Sequence, residues 1–252
     1  MKKKFTLILL LAALLLLIVP GSVVHAANKG VRVKATYLQR SESDEDEQWD
    51  YRTYRIGTLM SSGTKLKSTL TYSGILYLPK SMFKNGGYIG ICLGTELYNN
   101  DNGEYNAYGG VDFRDWLTFG KEAGEKNISF TRTDEVTGKT QSGSKYASAK
   151  EVGNYYQITF KNLRSKSVYT KYGVTNEDNL PIVTTKVFYP MVYLNIHGDF
   201  PKTVSGNIYL DKLQIKGAKT ITATFDKNDY LFLDVVRSWW RVIPSIAKVP
   251  TK

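Results

Sequence analysis

The sequence predicts an all-β fold: an antiparallel jelly-roll β-sandwich, built as a single domain. Short runs rich in Val, Ile, Thr, Tyr and Phe recur between clusters of Gly, Asn, Asp and Ser, which is typical of strands joined by turns. No segment has the helical crossovers that a parallel sheet requires. The chain is also long enough to bury a core between two sheets.

Nine runs have the composition of strands, and several alternate apolar and polar residues as half-buried strands do. They are residues 31–38, 51–59, 65–79, 87–94, 107–114, 154–163, 184–198, 206–217 and 220–226. By contrast, residues 121–151 are polar and poor in large apolar side chains. We therefore expect a long exposed loop there, or a hairpin that reaches into solvent.

Residues 1–26 have the pattern of a secretory signal peptide. Three lysines precede an apolar run from Phe5 to Val19, and residues 24–26 fit the small-x-small cleavage pattern. The apolar run is shorter than the roughly 20 residues that a membrane-spanning helix needs. We expect a secreted protein with its β-sandwich domain at 27–230 and a C-terminal tail at 231–252 packed on that domain.

Cysteine and histidine are too few for several kinds of site. The one cysteine, Cys92, has apolar neighbours and is predicted to be a buried, inert thiol. Beyond the leader the one histidine is His197, which argues against zinc sites built on several His or Cys ligands. A secreted, disulfide-free chain rich in Lys and Asn fits a Gram-positive bacterium.

The formal net charge of +11 falls by three when Lys2, Lys3 and Lys4 leave with the signal peptide. Positive charge attracts anionic partners. The basic residues are diffuse, however, and the protein is predicted to be exported, so we expect no nucleic-acid partner. An anionic wall polymer or lipid surface fits better, and the alternative is charge that serves solubility alone.

The stretch GNIYLDKLQIKG at 206–217 changes its apolar phase at Asp211 and Lys212. Ile208 and Leu210 share one face, but the apolar residues that follow alternate in the opposite phase. Such a change marks a bulge or a bend. One interpretation of Asp211 is structural: its carboxylate accepts backbone N–H bonds or pairs with Lys or Arg.

The same dozen residues resemble the last core strand of jelly-roll carbohydrate-binding modules with a galactose-binding-like sandwich, which reads Gly-x-hydrophobic-Tyr-hydrophobic-Asp. The resemblance implies a structural calcium ion, with Asp211 as a ligand and further oxygens from near the first strands. In this chain the acidic run 41–50 would supply them, through Asp44 and Asp46, because hard cations bind several oxygens. The alternative for that run is a solvated loop.

The run 95–116 interleaves aromatic rings with polar side chains in a largely turn-like sequence. A sugar lays its C–H face on an aromatic ring, while its hydroxyl groups need directional donors and acceptors. Loops on a rigid sandwich often carry binding. The candidate ligand-binding residues are Tyr98, Tyr105, Asn106, Tyr108, Arg114 and Trp116. The alternative is an ordinary polar loop with Trp116 in the core.

The tail carries adjacent tryptophans, and its apolar residues have helical spacing before Pro244, at Leu233, Val236, Trp240 and Ile243. An amphipathic helix of this kind lies at membrane interfaces. We expect instead that the tail packs on the sandwich, burying Ile243 among others, because exposed apolar surface promotes aggregation. Membrane contact is therefore not expected.

The sequence thus predicts a secreted, monomeric, non-catalytic carbohydrate-binding protein, specific for a cell-wall or extracellular polysaccharide. The first alternative is a membrane-active or surface-associated protein that uses the basic charge and the tail. The second is a glycoside-active enzyme, which needs two carboxylates about 5–10 Å apart. The acids available for such a pair are Glu96, Glu104, Asp112 and Asp115.

Overall fold

The computed structural model describes residues 28–39, 52–59, 69–99, 106–112, 115–134, 137–166, 188–217, 221–223, 234–237 and 240–251. These residues form sixteen strands and a short 3-10 helix at Lys80–Phe83. The strands are β1 (Lys29–Tyr37), β2 (Thr53–Leu59), β3 (Thr69–Pro79), β4 (Gly87–Asn99), β5 (Asn106–Asp112), β6 (Asp115–Lys121), β7 (Ser129–Asp134), β8 (Lys139–Ser142), β9 (Ala147–Val152), β10 (Tyr155–Lys166), β11 (Phe188–Asp199), β12 (Val204–Lys216), β13 (Ile221–Ala223), β14 (Asp234–Arg237), β15 (Trp240–Arg241) and β16 (Ser245–Lys248). The predicted signal peptide lies outside this part of the chain.

The strands form two antiparallel sheets. The first has the order β16-β1-β12-β3-β10-β9, with β13 beside β12, and the second has the order β15-β14-β2-β11-β4-β6-β7-β8, with β5 beside β4. Early strands pair with late ones, β1 with β12, β2 with β11 and β3 with β10, and β1 to β4 alternate between the sheets. This is a long antiparallel hairpin folded over into two layers, as in a jelly roll. The predicted fold class is confirmed.

The core lies between the two sheets and is rich in aromatic rings. Val31, Ile91 and Ile196 are among the inward-facing residues, and they are completely buried. Neighbouring rings in one chain of contacts have centroids 5.4 to 5.8 Å apart, and the chain runs through Tyr54, Tyr37, Phe200, Phe83 and Tyr156. Each such pair adds about 0.5–1.5 kcal/mol beyond its buried area. This series of ring contacts starts on β2 of the second sheet and ends on β10 of the first sheet, so it links the two sheets.

The phase change in β12 is a β-bulge, as the sequence predicts. The register with β3 shifts between Asp211 and Gln214, and Lys212 adopts a φ of 53°. The extra residue turns Leu213 and Ile215 back to the core, where both are buried. The carboxylate of Asp211 points to the outer face of the first sheet, the same side as the alternating residue Tyr209.

A second bulge, which the sequence analysis did not identify, lies in β10 on the other side of β3. The register shifts between Phe160 and Leu163, and Asn162 also has a φ of 53°. Gly74 of β3 lies level with both bulges. A Cβ atom on Gly74 would lie 2.6 Å from Cζ of Phe160. The phenyl ring therefore occupies the space that a side chain on β3 would fill.

Residues 121–151 contain more strand than expected. β7 and β8 form an antiparallel hairpin that extends the second sheet beyond β6, whereas β9 pairs with β10 at the edge of the first sheet. The hairpin alternative is thus correct and the long loop is wrong. The run 95–116 is also less turn-like than expected, because β4 continues to Asn99 and β5 pairs back onto it.

The described parts of the tail are strands, not the helix that the apolar spacing suggested. β14 pairs with β2 in the second sheet, and β16 pairs with β1 in the first sheet. Val249 is buried against Tyr77 and Tyr209. Ile243, which we expected to be buried, is 94% exposed because it lies in the connection between β15 and β16. Within the described residues, no helix is long and apolar enough to cross a membrane.

Lys212→Val should lower the free energy of unfolding by about 1–2 kcal/mol, because a β-branched side chain tolerates the left-handed backbone conformation at this position less well than the unbranched lysine does. Lys212→Gly should cause no loss, since glycine adopts a positive φ without steric strain. Urea denaturation measures both. Lys216→Val is the matched control, because Lys216 is exposed on the same strand outside the bulge. Equal stability of the two valine variants would contradict the prediction.

Deleting residues 242–252 should lower the Tm by several degrees. Burial of Val249 alone contributes about 1.5–3 kcal/mol, and in a chain of this size each kcal/mol corresponds to about 2–4 °C. Differential scanning calorimetry measures the change. Ile243→Ser is the control, because this exposed side chain should not affect the Tm. A truncated protein that melts at the wild-type temperature would show that β16 contributes nothing.

Candidate functional site

The predicted carbohydrate-binding run is divided among three strands of the second sheet. β5 pairs with the second half of β4 and β6 pairs with its first half, so the two strands follow one another along one edge of β4. The backbone of these strands carries Tyr98, Asn106, Tyr108 and Trp116. Two further candidates lie outside the described residues, Tyr105 and Arg114.

Trp116 lies on the outer face of the second sheet and is half-buried. Its neighbour Leu117 points into the core, whereas the indole makes an edge-to-face contact with His197 of β11, with ring centroids 6.3 Å apart. A Cβ atom on Gly90 of β4 would lie 3.1 Å from Cε3 of the indole. The missing side chain on β4 therefore makes room for the ring, and the alternative position of Trp116 in the core does not hold.

The outer face of β4 carries small residues beside β11. Cys92 is buried, as predicted, and its Sγ accepts a hydrogen bond of 3.3 Å from Nδ2 of Asn195. A Cβ atom on Gly94 would lie only 2.3 Å from Cε2 of Tyr193, so that ring lies across the glycine. The small residues of β4 thus leave space that the rings of Trp116 on β6 and Tyr193 on β11 occupy.

His197 is the polar centre of this face. Its Nδ1 lies 2.9 Å from Oγ1 of Thr53 on β2. Burial, and then the positive charge of Arg52, lowers the pKa of His197 to about 4. The imidazole is therefore neutral at neutral pH, and one of its two ring nitrogens is already bonded to Thr53. A neutral ring of this kind, next to an indole, is suited to hydroxyl groups rather than to a charged ligand.

Charged side chains near this face are engaged with neighbours. The guanidinium of Arg55 lies 5.3 Å above the ring centre of Tyr193, a cation–π distance. Nη1 of Arg52 lies 3.6 Å from Oδ1 of Asp199. These contacts place both arginines in the protein's own interactions beside the Trp116–His197 pair.

Asp115, one of the acids considered for glycoside chemistry, is held in an ion pair. It is buried, and Nε of Arg132 donates to its Oδ1 at 2.8 Å while Nη2 donates to its Oδ2. The guanidinium also lies 4.5 Å above the ring of Tyr146 and donates to the carbonyl of Arg164. Because Asp115 and Trp116 point to opposite faces of β6, this carboxylate stabilises the interior rather than the outer face.

Asp211 lies on the other outer face of the sandwich, that of the first sheet, and is fully buried. Its Oδ2 accepts a hydrogen bond of 2.8 Å from Nδ2 of Asn28. The carbonyl of Asn28 in turn accepts one of 3.0 Å from the backbone N–H of Val249. Burial, and then the charge of Asp211, raises the pKa of Tyr77. The carboxylate thereby connects the bulge to the beginning of β1 and to the C-terminal strand.

The other predicted calcium ligands, Asp44 and Asp46, lie outside the described residues. β1 ends at Tyr37, which pairs with Val204, and Asp211 lies seven residues further along β12, about 23 Å in an extended strand. Among the residues that the structure describes, no group of three His, Cys, Asp or Glu could hold a metal ion. The Asn28 amide that donates to Asp211 is neither a backbone N–H group nor a Lys or Arg side chain. The calcium site stays a prediction.

Comparison with protein families, with curated proteins and with solved structures gives no match for this chain. The resemblance to carbohydrate-binding modules therefore still depends on residues 206–217 and stays a prediction. Sequence reasoning missed His197 and Thr53, which are 144 residues apart in the chain and meet only through strand pairing. One signal was available: Gly90 and Gly94 recur on the same face of the run 87–94.

The lowered pKa of His197 predicts that the free energy of unfolding decreases as the pH is lowered. The unfolded chain has a histidine pKa of about 6.5, so protons bind the unfolded state more tightly than the folded state. The contribution of His197 is complete above about pH 6.5 and is lost as the pH falls towards about 4. The maximum loss is about 3 kcal/mol. Urea denaturation between about pH 7 and pH 4.5 measures this loss.

His197→Gln is the control for this prediction, because it removes the titrating group and keeps a polar side chain. The variant should lose less stability than wild type over the same pH interval. An NMR titration of the imidazole gives the pKa directly. A value near 6.5, or an equal pH dependence in both proteins, would contradict the prediction.

Proposed function

We propose that the protein binds a carbohydrate, without cleaving it, on the outer face of the second sheet. The observation that carries this proposal is the half-buried indole of Trp116 beside the imidazole of His197. The face of a sugar ring stacks on an aromatic side chain, while its hydroxyl groups bind nearby donors and acceptors. Thr118 offers an uncharged hydroxyl group next to the ring, and the neutral Thr53–His197 pair adds no charge there.

The β4–β5 hairpin is the natural continuation of this site. β5 follows β6 along the same edge of β4, so the predicted residues Tyr98, Asn106 and Tyr108 lie on strands next to Trp116 along that edge. The predicted loop residues Tyr105 and Arg114 flank β5 in sequence. A ligand longer than one sugar would extend from the indole either along β4 towards this hairpin or across β6, β7 and β8.

We propose that the ligand is a cell-wall or extracellular polysaccharide and that the protein is secreted as a monomer. The leader at 1–26 supports export. The ion pair between Asp115 and Arg132 supports binding without hydrolysis, because it engages one of the four acids considered for a glycosidase pair. A positive net charge would also favour the negatively charged surface of a bacterial wall.

Trp116→Ala should weaken binding of a soluble polysaccharide by at least about tenfold, because it removes the ring on which the sugar stacks. Affinity gel electrophoresis in gels containing neutral or anionic wall polysaccharides measures the change. Tyr105→Ala and Tyr108→Ala test the predicted extension separately. Circular dichroism melts establish that each variant is folded before it is assayed.

The matched control is Tyr155→Ala. Tyr155 is also a half-buried aromatic residue, but it lies on the outer face of the first sheet, where its ring contacts Tyr209. This variant should bind like wild type. If Trp116→Ala and Tyr155→Ala migrate identically in every gel, the outer face of the second sheet is not the binding site.

A further inference from the structure

The strands beyond Trp116 present a face of hydroxyl groups. The side chains of β6, β7 and β8 alternate strictly, and the register assigns eight residues to the outer face. Apart from the indole and one glycine, every one of them ends in a hydroxyl group: Trp116, Thr118, Gly120, Ser129, Thr131, Thr133, Thr140 and Ser142. None of these described residues is charged, whereas the inward positions of the same strands include Asp115, Arg132, Asp134 and Lys139.

Strand register aligns part of this face into a row across six strands. Gly90 is opposite both His197 and Thr118, and the pairing continues on either side. Neighbouring strands are about 4.8 Å apart, so the row spans about 24 Å. In order from β2 to β8, it contains Thr53, His197, Gly90, Thr118, Thr131 and Ser142.

Two hydroxyl groups in the middle of the row are available to a ligand. Thr118 and Thr131 are half-buried and face each other on β6 and β7, and no described residue forms a hydrogen bond with either side-chain oxygen. The neighbouring hydroxyls of Thr133 and Thr140, by contrast, lie 3.2 Å apart and bond to each other. The row therefore offers donors and acceptors beside the indole of Trp116.

We propose that this row binds an extended, neutral polysaccharide chain, which lies across the strands with one sugar stacked on Trp116. The inference rests on the proposed function and adds the ligand class. A row of uncharged groups, in a protein with a formal net charge of +11, fits a ligand that is itself uncharged. Thr53 at the β2 end is buried. The rest of the row, from His197 to Ser142, spans about 19 Å, which fits a chain of several sugars rather than a monosaccharide.

The test uses the full-length secreted protein and the double variant Thr118→Val/Thr131→Val, which keeps the shape and strand propensity of threonine but removes both hydroxyls. Thr159→Val is the control, because Thr159 is half-buried on the outer face of the first sheet. Affinity electrophoresis with β-glucan, xylan, galactomannan and polygalacturonate identifies the ligand class. Calorimetry with oligosaccharides of increasing length, from the polymer that binds, then measures affinity.

We expect retardation by a neutral polymer, affinity that rises with oligosaccharide length, and a loss of about tenfold or more in the double variant from two missing hydrogen bonds.

If Trp116→Ala abolishes binding while the double variant binds like Thr159→Val, this inference is wrong and the proposed function stands. Binding to polygalacturonate alone would also overturn the inference. If no polysaccharide retards wild type, both proposals are wrong. A wild-type dimer that the double variant converts to a monomer would assign the row to self-association instead.

Discussion

Phe160 packs over Gly74 in the core, and at this position along β3 the side-chain alternation of both neighbouring strands shifts by one residue. β3 keeps its inward alternation along its whole length, but both of its neighbours insert one residue at this level. Without those insertions, Leu163 and Ile215 would face solvent, because a one-residue shift reverses every side chain beyond it. Each would lose about 1.5–3 kcal/mol of burial. Asp211, immediately before the bulge, keeps the alternation of Tyr209 and accepts a hydrogen bond from Asn28.

The candidate site follows from the packing of the core. The alternation that buries Leu117 and Ile196 between the sheets places Trp116 and His197 on the outer face of the second sheet, where they are in contact. Gly90 then lets the indole approach β4 closely. The strands that carry these side chains are held by many backbone hydrogen bonds, so the indole would need little ordering to bind the proposed ligand.

The fold class was predictable because its signal is local, and so was the bulge at Lys212. The bulge in β10 had the same signal, since Leu163 breaks the phase set by Phe160. The strands of the tail were not predictable from their spacing, because pairing with β1 and β2 overrides local periodicity. For the site, residue type identified Trp116, whereas His197 required the register of strands that are far apart in the chain.

The position of β1 has a consequence for the order of folding. Both strands that pair with β1 come from residues 204–248, so the first strand has no partner until most of the chain has been synthesised. Contacts over such sequence distances form slowly. β1 is therefore expected to join the first sheet late, after β3, β10 and β12 have been synthesised.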